Sequence, residues 1–171
     1  RAAAHLMDLG HKRIALLNGL AGLTYAEHRE AGYRAALTAR GGDIDPALIA
    51  NAAFTDEAGF RLAQAMLALP DRPTAFLPGS MMSALGVSRA IRQAGLELGR
   101  DISMIAHDDV FPYLNADTMY PTLTTTRSSM RAAGTRIGEL VGSLLNGTPA
   151  ATIGELWSVD LVLGQSSAPL R

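Results

Sequence analysis

Short apolar runs alternate with amphipathic segments along the first two thirds of the chain. Four such runs predict buried strands, at 13–19, 48–50, 74–77 and 102–106. The segments between them carry apolar residues at helical spacing and end near Gly41, Pro70 and Gly95, which predicts single helices that stop there. Strands joined by single helices pair in parallel through right-handed crossovers. The pattern therefore predicts a three-layer α/β/α sandwich with a mainly parallel sheet.

Local signals mark where two of these helices begin. Thr24 and Glu27 are three residues apart, the spacing of a capping box in which a hydroxyl and a carboxylate accept bonds from free backbone N–H groups. Thr55 precedes Asp56 and Glu57, so its hydroxyl can cap the next helix while the two carboxylates favour the positive end of the helix dipole. Both threonines are therefore predicted helix starts.

The last third of the chain has a different pattern. Its apolar residues recur at intervals of 3, 4 and 7, which predicts an amphipathic helix over 129–145 with these residues on one face: Met130, Ala133, Ile137, Leu140, Val141 and Leu144. The run Asn-Gly-Thr-Pro at 146–149 ends this helix. Apolar and polar residues then alternate from Trp157 to Leu163, which predicts a final strand.

Composition narrows the classes of function. The 171 residues include no cysteine, which excludes a disulfide framework, a thiolate nucleophile and a cysteine-ligated zinc site. The formal net charge of −1 gives no general attraction to nucleic acid. The sequence has no run with the length of a membrane-spanning helix, no Gly-rich nucleotide loop and no metal-ligand spacing of histidines. We therefore expect a cytoplasmic chain without a cofactor, a metal or a membrane contact.

Two adjacent carboxylates follow the strand at 102–106. Asp108 and Asp109 would lie at the carboxyl ends of the parallel strands, where open α/β folds bind their ligands. The alternative is that both only cap a turn or bind cations at the surface. Arg29 lies one turn before Tyr33 on an inward helix face, near the positive end of the helix dipole, so a compensating carboxylate is expected and Asp108 is the candidate. The alternative is an arginine whose stem packs while its head reaches solvent.

Aromatic residues are concentrated in the connections at the predicted strand ends: Tyr25, Phe54, Phe111, Tyr113 and Tyr120. Aromatic faces beside fixed charges suit sugars, which present apolar C–H faces and a rim of hydroxyl groups. A phosphoribosyltransferase is an enzymatic alternative, but bulky residues at 110–113 replace the small loop that should hold phosphate. No acid, base and nucleophile come together in the sequence, so a binding protein without enzymatic activity is favoured.

Over nearly its whole length the sequence resembles the effector-binding region of LacI/GalR-type bacterial transcription regulators, which is similar to periplasmic sugar-binding proteins. The matching landmarks share their order and spacing with that family: Gly10-His11-Lys12-Arg13-Ile14-Ala15, Arg29 with Ala31-Gly32-Tyr33, Phe54, Gly59-Phe60, Arg72-Pro73-Thr74-Ala75, Ala84-Leu85-Gly86, Asp108-Asp109, Leu123-Thr124-Thr125 and Ser166-Ser167-Ala168-Pro169. The resemblance implies a periplasmic binding protein type I-like fold, in which two lobes close on a sugar-like effector.

The positions that match the family imply a set of ligand-binding residues: Tyr25, Arg29, Phe54, Ser80, Asp108 and Ser128. Among them, Arg29 and Asp108 would bind effector hydroxyls, and Phe54 would stack on the effector. Asp109, next to Asp108, would be the structural member of the pair. The chain departs from the family at Ser80-Met81, where an Asn-Asp pair is usual, and at Ser128, where a glutamine is common. Both departures leave the identity of the effector open.

The resemblance also implies a longer protein with two lobes. Residues 1–125 would form the second lobe, residues 126–150 would cross to a first lobe that otherwise precedes Arg1, and residues 151–171 would return to the second lobe. DNA would be bound only through a helix-turn-helix that precedes Arg1, and a homodimer is expected. The helix at 129–145 would then lack its usual partner, so we expect it to pack on another copy or to fold back on this lobe.

A second binding class shares the same two-lobed clamp. The sugar-binding component of a transporter would also close two lobes on its ligand, but a secretory signal would precede it instead of a helix-turn-helix.

Overall fold

A computed structural model describes residues 1–170, and Arg171, the last residue of the predicted return segment, lies outside the described residues. The helices and strands are α1 (Ala2–Asp8), β1 (Ile14–Asn18), α2 (Thr24–Thr38), β2 (Ile49–Asn51), α3 (Asp56–Leu67), β3 (Ala75–Pro78), α4 (Met81–Gln93), β4 (Ser103–His107), β5 (Thr124–Arg127), α5 (Met130–Leu145) and β6 (Asp160–Val162). Short 3-10 helices span Pro46–Leu48, Ala116–Thr118 and Ala150–Thr152.

The strands form one six-stranded sheet in the order β2-β1-β3-β4-β5-β6. All neighbouring strands are parallel except β5 and β6, which are antiparallel. The helices α1 and α2 cover one face of the sheet, and α3 and α4 cover the other. The prediction of a mainly parallel α/β/α sandwich is therefore confirmed. Because β1 to β5 run in one direction, their carboxyl ends meet at one edge of the sheet.

The pair α3 and α4 packs backbone against backbone. A Cβ atom at Gly59 would collide with the backbone of Ser83, and one at Gly86 would collide with the backbone of Asp56 and Phe60. Only glycine allows this approach, so these two positions fix how closely α4 lies against α3.

Of the two predicted helix starts, the one at Thr55 is confirmed and the one at Thr24 is wrong. Thr55 caps α3 as expected, since its hydroxyl oxygen accepts the N–H of Ala58 at 3.1 Å. The capping box at Thr24 and Glu27 is wrong, because Leu23 is the residue at the N-cap and Thr24 is already helical. The N–H groups of Ala26 and Glu27, which a capping hydroxyl would bind, donate to the Leu23 carbonyl instead.

The final strand is shorter than its alternation predicts. Only Asp160–Val162 pairs, and its partner is β5, which runs in the opposite direction. Trp157 lies before the strand, where its indole N–H donates to Glu155 at 3.1 Å. The residues before 160 have no strand beside them. An alternating pattern of apolar and polar residues does not form a strand where the backbone has no neighbouring strand to bond to.

Helix α5 stands apart from the sandwich. It contains no buried residue, and its large apolar side chains are exposed: Met130, Ile137, Val141, Leu144 and Leu145. Arg136 pairs with Glu139 and with Glu155, which ties the helix to the following loop rather than to the sheet. The expectation that this helix folds back on the lobe is wrong, and its packing on another copy stays a prediction.

The segment after β6 returns to the sandwich and is held by polar groups. The Ser166 hydroxyl accepts the N–H of Thr124 at 2.8 Å and donates to the carbonyl of Met104 at 2.7 Å. His11 is buried and lies 3.0 Å from both the Thr74 hydroxyl and the Ala168 carbonyl. Among residues 1–170, the structure contains no helix with the length and apolar character needed to cross a membrane.

Candidate ligand-binding cleft

The candidate site lies at the edge of the sheet where the parallel strands end. The chain leaves β1 at Asn18, β3 at Pro78, β4 at His107 and β5 at Arg127. The order of the strands places these ends side by side, so the loops that follow them form one rim. Such an edge is where open α/β sheets bind ligands.

Three of the predicted residues form one cluster on this rim. The rings of Tyr25 and Phe54 are 6.0 Å apart between centroids and tilted by 39°. The Arg29 guanidinium carbon lies 5.4 Å from the Tyr25 ring and 5.5 Å from the Phe54 ring, within the range of a cation–π interaction. The aromatic groups therefore hold the arginine head in one place.

Gly79, directly after β3, lies against Arg29 and Phe54. Its carbonyl accepts a hydrogen bond from Arg29 Nη1 at 3.0 Å. A Cβ atom at Gly79 would lie 3.0 Å from Arg29 Nη1 and 2.8 Å from the Phe54 ring. A residue larger than glycine would displace the arginine, so the close approach of Phe54 and Arg29 depends on Gly79.

The charge of Arg29 is compensated at a distance and not by a direct ion pair. Burial lowers the pKa of the Arg29 guanidinium, and the Asp109 carboxylate opposes that change. Arg29 has no carboxylate within 4.0 Å among residues 1–170. The predicted pairing of Arg29 with Asp108 is therefore wrong.

The reason is the local conformation of the loop after β4. Asp108 is only 6% exposed, and its Oδ1 atom accepts the N–H of Val110 at 2.8 Å. Val110 has a φ of 56°, an uncommon conformation for a β-branched residue. Oδ2 of Asp108 lies 3.8 Å from Arg127 Nη1. The carboxylate thus faces its own loop and β5, and it keeps acceptor positions for a further donor.

Asp109 bonds to the start of α4, whereas Asp108 bonds to its own loop. Its Oδ2 atom accepts the backbone N–H of Met81 at 2.9 Å, at the first turn of α4. A carboxylate there bonds to a free N–H group and favours the positive end of the helix dipole. The expectation that Asp109 is the structural member of the pair is confirmed.

The two predicted serines occupy different positions on the rim. Ser80 is 2% exposed and caps α4, because its hydroxyl oxygen accepts the N–H of Met82 at 3.1 Å. That bond leaves the hydroxyl hydrogen of Ser80 available for donation. Ser128 is half-buried and follows β5, next to the strand end that carries Asp108. The structure thus brings Tyr25, Arg29 and Phe54 together directly and the other three through neighbouring strand ends.

His107 belongs to the site but was not among the residues predicted from the sequence. It lies with Arg29 and Gly79 around a cavity of about 220 Å³, and its Nδ1 atom is 3.3 Å from the Thr126 hydroxyl. Burial lowers the pKa of His107, and the nearby Arg29 lowers it further. Its place directly before Asp108 was the signal that could have indicated it. Within the described part of the chain, no group of three or more histidines and carboxylates is arranged to hold a metal ion.

Comparison with known proteins adds a family to this geometry. The family described as "Periplasmic binding protein-like domain" matches residues 3–167. The chain belongs to this family, in its LacI/GalR branch. The resemblance inferred from the scattered landmarks is therefore confirmed over nearly the whole chain.

Relatives of known class agree with this assignment. The chain is 48% identical over 169 residues to the HTH-type transcriptional regulator AglR of Rhizobium meliloti, covering 98% of this chain and 47% of that protein. It is 37% identical over 124 residues to the ribose operon repressor of Escherichia coli, covering 72% of this chain and 37% of that protein. A dimeric Lac repressor structure superposes with a TM-score of 0.87 at 31% identity, covering 99% of this chain and 60% of that chain.

These relatives decide between the two binding classes predicted from the sequence. They are transcriptional regulators, so the transporter alternative is not favoured. The chain spans less than half the length of the curated relatives it matches.

Proposed function

We propose that this chain is the effector-binding region of a LacI-type transcription regulator and that it binds a sugar or a related small polar molecule at the cleft. The observation that carries the proposal is the cluster of Arg29 with Tyr25 and Phe54 on the same rim as the buried Asp108. Fixed donors, fixed acceptors and an aromatic face are the groups that a polyhydroxylated ring requires. As a regulator without catalysis, it would act in the cytoplasm, where its operator DNA is.

Each predicted residue has a role that its position supports. Arg29 has one N–H committed to Gly79 and others available for ligand hydroxyls, and Asp108 retains acceptor positions for hydroxyl hydrogens. The Phe54 ring would lie against the apolar face of the ligand. Tyr25, Ser80 and Ser128 would line the cleft around these three.

The mechanism we propose is closure of two lobes. Residues 1–125 and 151–171 would form the second lobe. Residues 126–150 would belong to a first lobe whose other residues precede Arg1. The exposed apolar side of α5 supports this division, because an apolar helix face of this size requires a partner. Effector binding between the lobes would then shift the position of paired DNA-binding heads, a coupling between two sites.

The regulator is proposed to act as a homodimer whose DNA contacts come from a helix-turn-helix that precedes Arg1. Support comes from the similar Lac repressor structure, which is dimeric, and from relatives that are HTH-type regulators. The net charge of −1 on this chain agrees with DNA binding by another segment.

A thermal-shift screen of sugars against the full-length regulator tests this function. A ligand that binds only the folded protein raises its unfolding temperature by mass action. Asp108→Ala should abolish the shift, while Asp71→Ala, a change at the opposite edge of the sheet, should retain it. A shift that survives Asp108→Ala at full size would place the ligand elsewhere and contradict the proposal.

A further inference from the structure

We infer that the cavity beside Arg29 binds a small oxyanion group, such as a phosphate or a carboxylate, between the guanidinium groups of Arg29 and Arg1. The inference rests on the proposed function in one respect, because Arg29 lines this cavity and also belongs to the aromatic cluster of the proposed effector cleft. The cavity is a different space from that cluster, since neither Tyr25 nor Phe54 lines it.

The cavity lies between helices α1 and α2 and the sheet, toward the carboxyl ends of the strands, and has a volume of about 220 Å³. Its ionisable side chains include two arginines and two histidines: Arg1, His28, Arg29 and His107. Among residues 1–170, no aspartate or glutamate lines it. A cavity with two guanidinium groups and no carboxylate has a positive potential, which concentrates anions from solution.

Arg29 lacks the partner that a buried charge requires. It is half-buried, and it has no carboxylate within 4.0 Å in the described part of the chain. Burial of an unpaired charge is unfavourable, which is why the pKa of Arg29 is lowered. One of its five N–H groups donates to the Gly79 carbonyl, so others remain for a ligand. An oxyanion in the cavity would supply the missing negative charge.

Two carboxylates near the cavity are bonded elsewhere. Asp109 accepts the N–H of Met81 at 2.9 Å at the start of α4, and it acts on Arg29 only as a more distant charge. Asp108 is buried, accepts a hydrogen bond from its own loop and lies 3.8 Å from Arg127. Each carboxylate therefore has its own compensating group, and neither takes the place of an anion beside Arg29.

Arg1 provides the second guanidinium group. Its Nη1 atom donates to the carbonyl of Val159 at 2.6 Å, and both residues line the cavity. This bond fixes the head of Arg1 and leaves its other N–H groups available. Hydrogen bonds from guanidinium groups to oxyanions are among the stronger ones in proteins. Because both arginines line one small cavity, a single oxyanion can accept bonds from the two of them.

The remaining wall allows the oxyanion to carry a carbon body. Leu16, Leu77 and Ile105 line the cavity from the sheet and offer an apolar surface. Burial and the charge of Arg29 lower the pKa of His107, so its ring is neutral at neutral pH and can donate one N–H group. The oxyanion can therefore belong to the effector, as in a sugar phosphate or a sugar acid, or it can be a separate free anion.

Isothermal titration of the full-length regulator with sulfate tests whether the cavity binds a free oxyanion. If it does, Arg1→Gln and Arg29→Gln should each weaken sulfate binding on the order of tenfold or more, the loss expected for one charged hydrogen-bond partner. Arg72→Gln is the matched control, because this exposed arginine precedes β3 at the opposite edge of the sheet. Thermal unfolding verifies that the variants remain folded. Sulfate binding that is unchanged in folded Arg1→Gln protein would overturn the inference.

Titration with glucose, glucose 6-phosphate, ribose and ribose 5-phosphate distinguishes the two sources of the oxyanion. If the effector carries it, a sugar phosphate should bind on the order of tenfold more tightly than its sugar. Arg1→Gln should remove most of that gain and leave the affinity for the neutral sugar unchanged. If the anion is separate, sulfate should bind and the sugar phosphates should show no gain over their sugars.

The same titrations separate this inference from the proposed function. Absence of sulfate binding together with no gain from any phosphate would overturn the anion site, while binding of a neutral sugar would leave the proposed function intact. Sulfate binding that depends on Arg1, with no binding of any sugar in the thermal-shift screen, would support the anion site and count against the proposed function.

Discussion

Helices α4 and α5 have similar sequence patterns and opposite environments. Both are amphipathic, and a serine caps each, because Ser80 accepts the N–H of Met82 and Ser129 accepts the N–H of Ala132. Yet α4 buries seven residues between α3 and the sheet, while α5 buries none. An amphipathic pattern therefore predicts that a face requires a partner, but it does not predict whether the partner belongs to the same lobe.

The largest expected effect comes from one isoleucine on each helix. Ile91 on α4 is 1% exposed and Ile137 on α5 is 61% exposed. Ile91→Ala should lower the free energy of unfolding by about 2–5 kcal/mol, since it removes buried methyl groups and leaves a cavity. Ile137→Ala should change it by less than about 0.5 kcal/mol, and urea unfolding of both variants measures the difference.

Repeating the isoleucine pair in the full-length regulator makes the comparison sharper. If a first lobe covers α5, the cost of Ile137→Ala should rise above about 1 kcal/mol there, because the same methyl groups would then be buried. An equal, small cost in both contexts would contradict the assignment of α5 to a first lobe.

Replacing one glycine on each helix by alanine should change the stability of the chain in opposite directions. A Cβ atom at Gly86 would collide with the backbone of α3, whereas nothing lies within 4 Å of one at Gly138 on α5. Gly86→Ala should therefore destabilise the chain by about 1–3 kcal/mol. Gly138→Ala should stabilise it by about 0.5–1 kcal/mol, because alanine has less freedom to lose in a helix. Denaturation midpoints that move in the same direction would contradict this account of the two helices.

The smallest effect is a difference in sensitivity to acid. Burial lowers the pKa of His11 and of His107 below the ordinary value of 6.5, so the folded lobe favours their neutral forms. The unfolded chain then binds more protons, and stability should fall as the pH drops through that value. The contact of α5 with the following loop should respond to a different pH range. The hydrogen bond from Arg136 lowers the pKa of Glu155 from 4.5, so the pairing of these two residues is lost only below that pH.

Urea unfolding followed between about pH 7.5 and about pH 5.5 checks this prediction, since the range spans the titration of an ordinary histidine. The midpoint should decrease on acidification, and His11→Gln should make the decrease shallower. A midpoint that rises as the pH falls would contradict the assignment of neutral histidines to the folded state.

The sequence predicted the parts of the molecule that depend on local pattern. The strand ahead of Asp108 and the cap at Thr55 follow from apolar runs and from the polar residues at their ends. The failures depend on tertiary geometry. The side chain of Asp108 turns onto its own loop and away from Arg29, and the contact of Arg29 with Gly79 joins residues fifty positions apart.

A crystal structure of the full-length regulator with its effector tests the central claim most directly. The account predicts that effector hydroxyls bind Arg29 and Asp108 while the Phe54 ring lies against the apolar face of the effector. An effector bound without contact to Arg29 or Asp108 would contradict it.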